Sequence, residues 1–161
     1  MAEELHIAQG GKDEKYELLY KQISALVEGE SDPIANMANV AAMIHHTFGF
    51  LWTGFYRVTG NELVLGPFQG PLACSRIKYG RGVCGTAWKE RVTQVVPDVE
   101  QFPGHIACSS ASRSEIVVPI FNANVNVTAV LDIDSEELST FDNVDKEWLE
   151  KIVKVLQDGK R

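Results

Sequence analysis

Three cysteines, Cys74, Cys84 and Cys108, lie within thirty-five residues of one another, and three acids, Glu115, Asp132 and Asp134, follow them. Thiols can be oxidised and re-reduced, and carboxyls can hold a proton or a cation. The combination points to sulfur redox chemistry on a small polar ligand.

Cys108 lies in HIACSSASRSEIVVP, within a polar loop from residue 100 to 114 that also holds His105, four serines and Arg113. Irregular chain of that length inside a compact domain is more often functional than idle. A cysteine on such a loop is expected to be solvent-accessible, and His105, Arg113 and backbone N–H groups could lower its pKa toward a thiolate. Free cysteines are also commonly small buried residues, and for Cys108 the residues alone leave the two readings even. Cys74 ends a strand-like run and Cys84 sits on a glycine-rich turn. Core packing explains either of these singly, but three cysteines on irregular chain are harder to dismiss. The three thiols with His105 lack the close C-x₂₋₄-C spacing of structural zinc sites, so no metal is expected.

In VLDIDS, Asp132 and Asp134 are two apart on a strand and share a face, with Leu131 and Ile133 on the other. Paired carboxylates repel and, with partial burial, at least one pKa rises, which suits a protonated acid or a cation site. A strand end with solvated acids is the plain alternative. Glu115 opens the adjacent strand and can reach the same face. Trp52, Thr53, Phe55 and Tyr56 add surface that could wall a pocket, although aromatics at strand spacing are more often core.

The elements that must hold these groups follow from periodicity. Residues 13 to 28 place Leu19, Ile23, Leu26 and Val27 on one helical stripe ending near Gly29. Asp32 and Pro33 read as an N-cap and first helical residue. Ile34, Met37, Ala38, Ala41, Ile44 and His45 then repeat at helical spacing up to Gly49. FLWTGFYRV and ELVLGPF flank a turn at Gly60 and Asn61, a β-hairpin. GRGVCGTAWKE is a glycine-rich turn entering a short helix, and TQVVPDV a short strand. EIVVPIF and VTAVLDID, joined by NANVN, suit adjacent central strands. A last helix from about Asp142 carries Trp148, Leu149, Ile152, Val155 and Leu156. The order implies an α+β domain with a central, mostly antiparallel sheet and the N- and C-terminal helices packed on one face.

At 161 residues with 45% hydrophobic content, the chain suits one domain with its own core. A formal charge of −7, with no Lys/Arg run longer than two, disfavours nucleic acid and anionic membrane as partners. No apolar stretch approaches the roughly 20 residues of a transmembrane helix. The N-terminus has no basic segment followed by an apolar core, so the cytoplasm is the expected address. An odd cysteine count in that compartment argues against a structural disulfide framework, and any disulfide is expected to be transient.

The runs GPFQGPLACSRI, YGRGVCGTAW, HIACSSASRSEIVVPIF and VLDIDS resemble those of the free methionine-(R)-sulfoxide reductases, a family built on a single GAF domain. The resemblance covers about residues 14 to 157 and includes all three cysteines. It implies a GAF domain over 13–161 behind a variable segment 1–12. It implies Cys108 as catalytic cysteine, Cys74 as the main resolving cysteine and Cys84 as a further redox-active partner. Trp52 and Tyr56 would surround the substrate methyl end, and Glu115, Asp132 and Asp134 would form the polar part of the pocket. One departure is visible: Ala129 stands where relatives usually have glycine, and it touches no proposed catalytic group.

What the resemblance implies for activity is thiol-dependent reduction of free L-methionine-(R)-sulfoxide, through a cysteine sulfenic acid and an intramolecular disulfide. Thioredoxin, ultimately drawing on NADPH, would recycle the enzyme, and no bound cofactor is expected. A homodimer through the front helical hairpin, common among GAF domains, is expected too. Two other classes compete: a non-catalytic GAF sensor of a small ligand such as a cyclic nucleotide, and a redox sensor using the same thiols. The first needs a signalling partner domain, and the second gives no reason for the acids and aromatics.

Overall fold

The computed structural model describes residues 4–158. Helix α1 (Lys12–Glu28) buries Tyr16, Leu19, Ile23 and Val27 along one stripe. Helix α2 (Pro33–Phe48) starts where the Asp32 side chain accepts from the amides of Ile34 (2.9 Å) and Ala35 (3.0 Å), satisfying donors that the first turn leaves free. A hairpin follows, β1 (Trp52–Thr59) and β2 (Glu62–Gln69), with Thr59 paired to Glu62 across a two-residue turn. Then come β3 (Arg76–Lys78), α3 (Gly82–Glu90) and β4 (Gln94–Val96). A single 3₁₀ turn at Val99–Gln101 leads through irregular chain to β5 (Ser114–Phe121), β6 (Val127–Ser135) and α4 (Asn143–Asp158).

The six strands form one sheet in the order β3-β2-β1-β6-β5-β4, antiparallel at every step. Pro119 in β5 lies beyond the three residues that β4 pairs, so its missing N–H costs no ladder bond on that side.

Alternation across the pleat divides the interior in two. Phe55, Ile116, Val118, Ile120, Ala129, Leu131 and Ile133 face α1, α2 and α4 and form the larger core. Trp52, Tyr56, Val117 and Val130 face the other way, toward α3 and the connecting loops. The expected α+β arrangement with N- and C-terminal helices on one face is the one observed, and α3 alone lies opposite.

Details of the helical stripes differ from the periodic reading. Tyr16 joins the α1 stripe and Leu26 is only half-buried. Ile34, in the first turn of α2, and Ala38, one step off the row through Met37, Val40, Ala41 and Ile44, are exposed. On α4 the buried row is Leu149, Ile152, Val153 and Leu156. Trp148 instead stacks on Tyr16, with ring centroids 6.4 Å apart. Strand β3, with Ile77 buried between exposed Arg76 and Lys78 at a sheet edge, has only three residues, too few to mark a strand in the sequence.

Polar groups tie α1 to α4 beneath this core. The Tyr16 hydroxyl donates to Asp145 Oδ1 at 2.6 Å and Lys12 Nζ to Oδ2 at 2.7 Å, so the buried carboxylate has partners on both oxygens. Ahead of α1, the His6 amide donates to Gln22 Oε1 at 2.8 Å and Leu5 packs at the core edge. The outer ends of the 1–12 and 13–161 division lie outside the described residues. Among the described residues no helix is long and apolar enough to cross a membrane.

Candidate active site

Strand register brings the acids together. Glu115 pairs with Asp134 across β5 and β6, Val117 with Asp132, and Trp52 and Gly54 of β1 face Asp134 and Asp132. Residues two apart share a face, so the three carboxyls and the rings of Trp52 and Tyr56 lie on the side away from the large core. Gly54 makes room for this: a Cβ there would meet the Trp52 ring at 2.6 Å, so only glycine lets the indole lie across β1.

The aromatic wall also holds the chain that carries Cys74. Trp52 stacks on Tyr56 and Phe68, with centroids 5.9 and 5.2 Å apart. Its indole N–H donates to the Pro71 carbonyl at 3.1 Å, and the Tyr56 hydroxyl donates to the Cys74 carbonyl at 2.8 Å. Loop 70–75, between β2 and β3, is thereby fixed against the wall. Cys74 sits in this loop rather than at a strand end, because β2 stops at Gln69.

Cys74 is joined by a disulfide to Cys108 on loop 102–113, with 5.5 Å between their Cα atoms. The expected solvent-accessible Cys108 is half-buried. Its expected electrostatic helpers divide. His105 lines the cavity beside Cys108, whereas Arg113 is exposed and does not.

Cys84 belongs to the first turn of α3, near the helix start where the glycine-rich run places it, and is buried at 4% exposure. It reaches the acids because α3 sits tightly on β3: a Cβ at Gly85 would meet the Lys78 carbonyl oxygen at 2.7 Å. The Sγ of Cys84 and one oxygen each from Glu115 and Asp132 lie within 4.8 Å of one another. The first-turn amides of Gly82, Val83 and Cys84 have no acceptor within the helix, and all three residues line the cavity.

The cavity between these parts is lined by Trp52, Tyr56, Cys84, His105, Cys108, Ser112 and the three acids, among others. Its volume to water centres is about 50 Å³, room for a few waters at roughly 10–15 Å³ each.

Burial dominates the electrostatics. It pushes the Glu115 carboxyl well above its ordinary value, and the neighbouring Asp132 and Asp134 push it further. Asp132 is raised by burial against the opposing pull of donors at Glu115 and Cys84. Asp134 is raised by burial and then by Asp132, against the Ser112 hydroxyl that donates to it at 3.1 Å. The Cys84 thiol is pushed up by burial and then by Asp132 and Glu115. His105 is lowered by burial, more than Asp132 raises it. A neutral imidazole therefore shares the cavity with Cys108 at neutral pH and gives the thiol no cationic help toward a thiolate. The pocket retains protons on groups that water would strip.

All eight candidate residues, Trp52, Tyr56, Cys74, Cys84, Cys108, Glu115, Asp132 and Asp134, line or close this one cavity. Thr53 and Phe55 do not. They point to the opposite face, where Thr53 Oγ1 meets His45 Nδ1 at 3.1 Å and Phe55 joins the helical core. Ser112 was not singled out in the sequence, and nothing local separates it from the other serines of its loop.

Residues 36–156 match the GAF domain family. The chain is 56% identical over 159 residues to GAF domain-containing protein A of Dictyostelium discoideum, covering 98% of this chain and all of that one. It is 43% identical over 153 residues to the free methionine-R-sulfoxide reductase of Saccharomyces cerevisiae, covering 90% and 85%. The X-ray structure of free methionine-R-sulfoxide reductase from Neisseria meningitidis in complex with its substrate superposes with a TM-score of 0.95 at 49% identity, covering 98% and 95%. With this fold, this cavity and these matches along nearly its whole length, the chain belongs to the free methionine-R-sulfoxide reductase family of GAF-domain proteins.

Proposed function

We propose that the protein reduces free L-methionine-(R)-sulfoxide to methionine. The observation that carries the reading is the Cys74–Cys108 disulfide at a cavity whose other walls are two aromatic rings and three buried acids. Relatives named for this reaction support it.

The Cys108 thiolate attacks the sulfoxide sulfur while a carboxyl gives a proton to the sulfoxide oxygen; that oxygen then passes to the Cys108 sulfur as the transient S–S bond breaks, releasing methionine and leaving a Cys108 sulfenic acid. The raised carboxyls suit that donor role, because a group ionised at neutral pH has no proton to give. The Cys74 thiol then condenses with the sulfenic acid, releasing water and forming the disulfide. An external dithiol, thioredoxin, reduces the disulfide and restores both thiols, with NADPH as ultimate donor. Such recycling belongs to a cytoplasmic setting, where thiols are kept reduced.

Mutual repulsion keeps the three acids from ionising together, so one can carry charge while its neighbours keep protons. We assign the charged role to Glu115, which keeps its proton in the empty pocket and gives it up when the substrate ammonium arrives to pair with it, and proton donation to the sulfoxide to Asp132 or Asp134. A peptide amide offers no such cation, which accounts for selection of the free amino acid. The unpaired first-turn amides of α3 suit the substrate carboxylate. Trp52 and Tyr56 take the methyl end. Pairing of two copies through α1 and α2 belongs to the same reading, and light scattering tests it.

The deciding experiment supplies free L-methionine-(R)-sulfoxide, its S epimer and a peptide-bound form, with thioredoxin, thioredoxin reductase and NADPH. Turnover of the free R epimer alone is expected. Failure on all three by reduced, folded protein moves the assignment to a ligand or redox sensor.

A further inference from the structure

The zinc arrangement weighed in the sequence used Cys74, Cys84, Cys108 and His105, and the disulfide takes two of those thiols away. The structure assembles a different set. Cys84 on α3, Glu115 on β5 and Asp132 on β6 offer one sulfur and two carboxylate oxygens, all within 4.8 Å of one another. Around a tetrahedral zinc a sulfur and an oxygen ligand stand about 3.6 Å apart, from bonds of about 2.3 and 2.1 Å. Side-chain rotation that closes the set by about 1 Å brings it to coordinating geometry.

A second observation points to a ligand. Asp132 is only 5% exposed and lines the cavity; Glu115 and Cys84 act as donors toward its carboxyl, yet its Oδ1 has no partner in hydrogen-bond geometry among the described residues. A buried carboxylate oxygen without a donor is costly and rare in native proteins. The three ligands stand on a helix and two central strands, so little freedom is lost on binding. Asp134 and His105 line the same cavity and can complete the shell.

The geometry points to an inhibitory site for a borderline divalent cation, Zn²⁺ foremost, held by Cys84, Glu115 and Asp132 in competition with the amino-acid substrate. Binding exchanges the protons on the thiol and carboxyls for the dication, so protons are released and the like charges are bridged. Mixed thiolate and carboxylate ligands select against Mg²⁺ and Ca²⁺, which take oxygen alone. Cation binding would silence the acids that the proposed reaction needs, tying activity to free zinc. This inference shares the pocket floor with the proposed substrate site, but its test requires no turnover.

The test uses oxidised full-length protein, in which the Cys74–Cys108 disulfide leaves Cys84 as the only thiol. Titration with Co²⁺ should produce a near-ultraviolet thiolate-to-metal band that Zn²⁺ abolishes and millimolar Mg²⁺ does not. Cys84→Ser should lose the band, and Glu115→Gln, which keeps the thiol and the shape, should weaken Co²⁺ binding at least about tenfold. No band in the wild-type protein, an equal band in Cys84→Ser, unchanged affinity in Glu115→Gln, or displacement by Mg²⁺ as readily as by Zn²⁺ would each overturn the site. Because the readout is spectroscopic, its failure leaves the reductase reading standing, and failed turnover leaves the metal result standing.

Discussion

The Tyr56 hydroxyl donates to the Cys74 backbone carbonyl at 2.8 Å, so the ring that walls the cavity also positions one half of the disulfide. Burial and the nearby acids raise the Tyr56 phenol above its ordinary value, and the phenol stays a donor at any working pH. Tyr56→Phe keeps the stacking on Trp52 and removes only this bond. The expected stability loss is about 1 kcal/mol, the usual net value of one hydrogen bond. Disulfide closure should slow more than the first release of methionine. Comparing thiol loss with methionine formation in a single turnover checks this, and equal slowing of both would sever the link between wall and loop.

Cys108→Ser should abolish methionine formation with every reductant, dithiothreitol included, because a hydroxyl at that position is a far weaker nucleophile than a thiolate. Near-normal turnover in the variant would remove Cys108 from the chemical step. Its fold should survive, since the side chain is half-buried on a loop rather than part of either core.

For Cys74→Ser the expectation is one methionine per enzyme at close to the normal rate, followed by poor recycling through thioredoxin. Cys84 is the only other thiol, and its burial among acids holds it protonated, which makes it a slow resolver. Product quantified against enzyme in a burst experiment distinguishes the cases. Full thioredoxin-driven turnover would transfer the resolving role to Cys84.

Much of this site is legible in the amino-acid sequence. Period-two spacing put Asp132 and Asp134 on one face, and the adjacent strand starting at Glu115 supplied the third acid. Both follow from backbone geometry that a sequence reveals. The same rule, applied to the first hairpin, separates Trp52 and Tyr56 from Thr53 and Phe55, but it does not say which set faces the helices. That choice depends on the opposing layer: α1, α2 and α4 bury Phe55 with Leu131 and Ile133. Arg113 and His105 looked alike as helpers of Cys108, yet only His105 turns inward, since the Arg113 amide is drawn to the Ser135 carbonyl at 2.7 Å as β5 begins. The state of Cys84 was hidden for a similar reason. Its helix is only nine residues long, and the close seat on β3 that buries it depends on a tertiary contact at Gly85.

The buried acids also fix how stability should vary with pH. Glu115 and Asp134 are held well above their ordinary values of 4.5 and 3.8, and Asp132 is raised above 3.8. Between the ordinary and native values the folded protein holds more protons than the unfolded chain. The stability this contributes is fully present below the ordinary values and is lost as pH rises through the native ones, by at most about 1.4 kcal/mol per pH unit for each proton. Glu115→Gln presents a neutral group at every pH, so its stability should decline less steeply than wild type over that rise. Urea midpoints measured across a pH series on the disulfide-closed forms test this directly. Parallel curves would mean that Glu115 ionises as freely in the fold as out of it, and the proton-retaining pocket would then lose its main member.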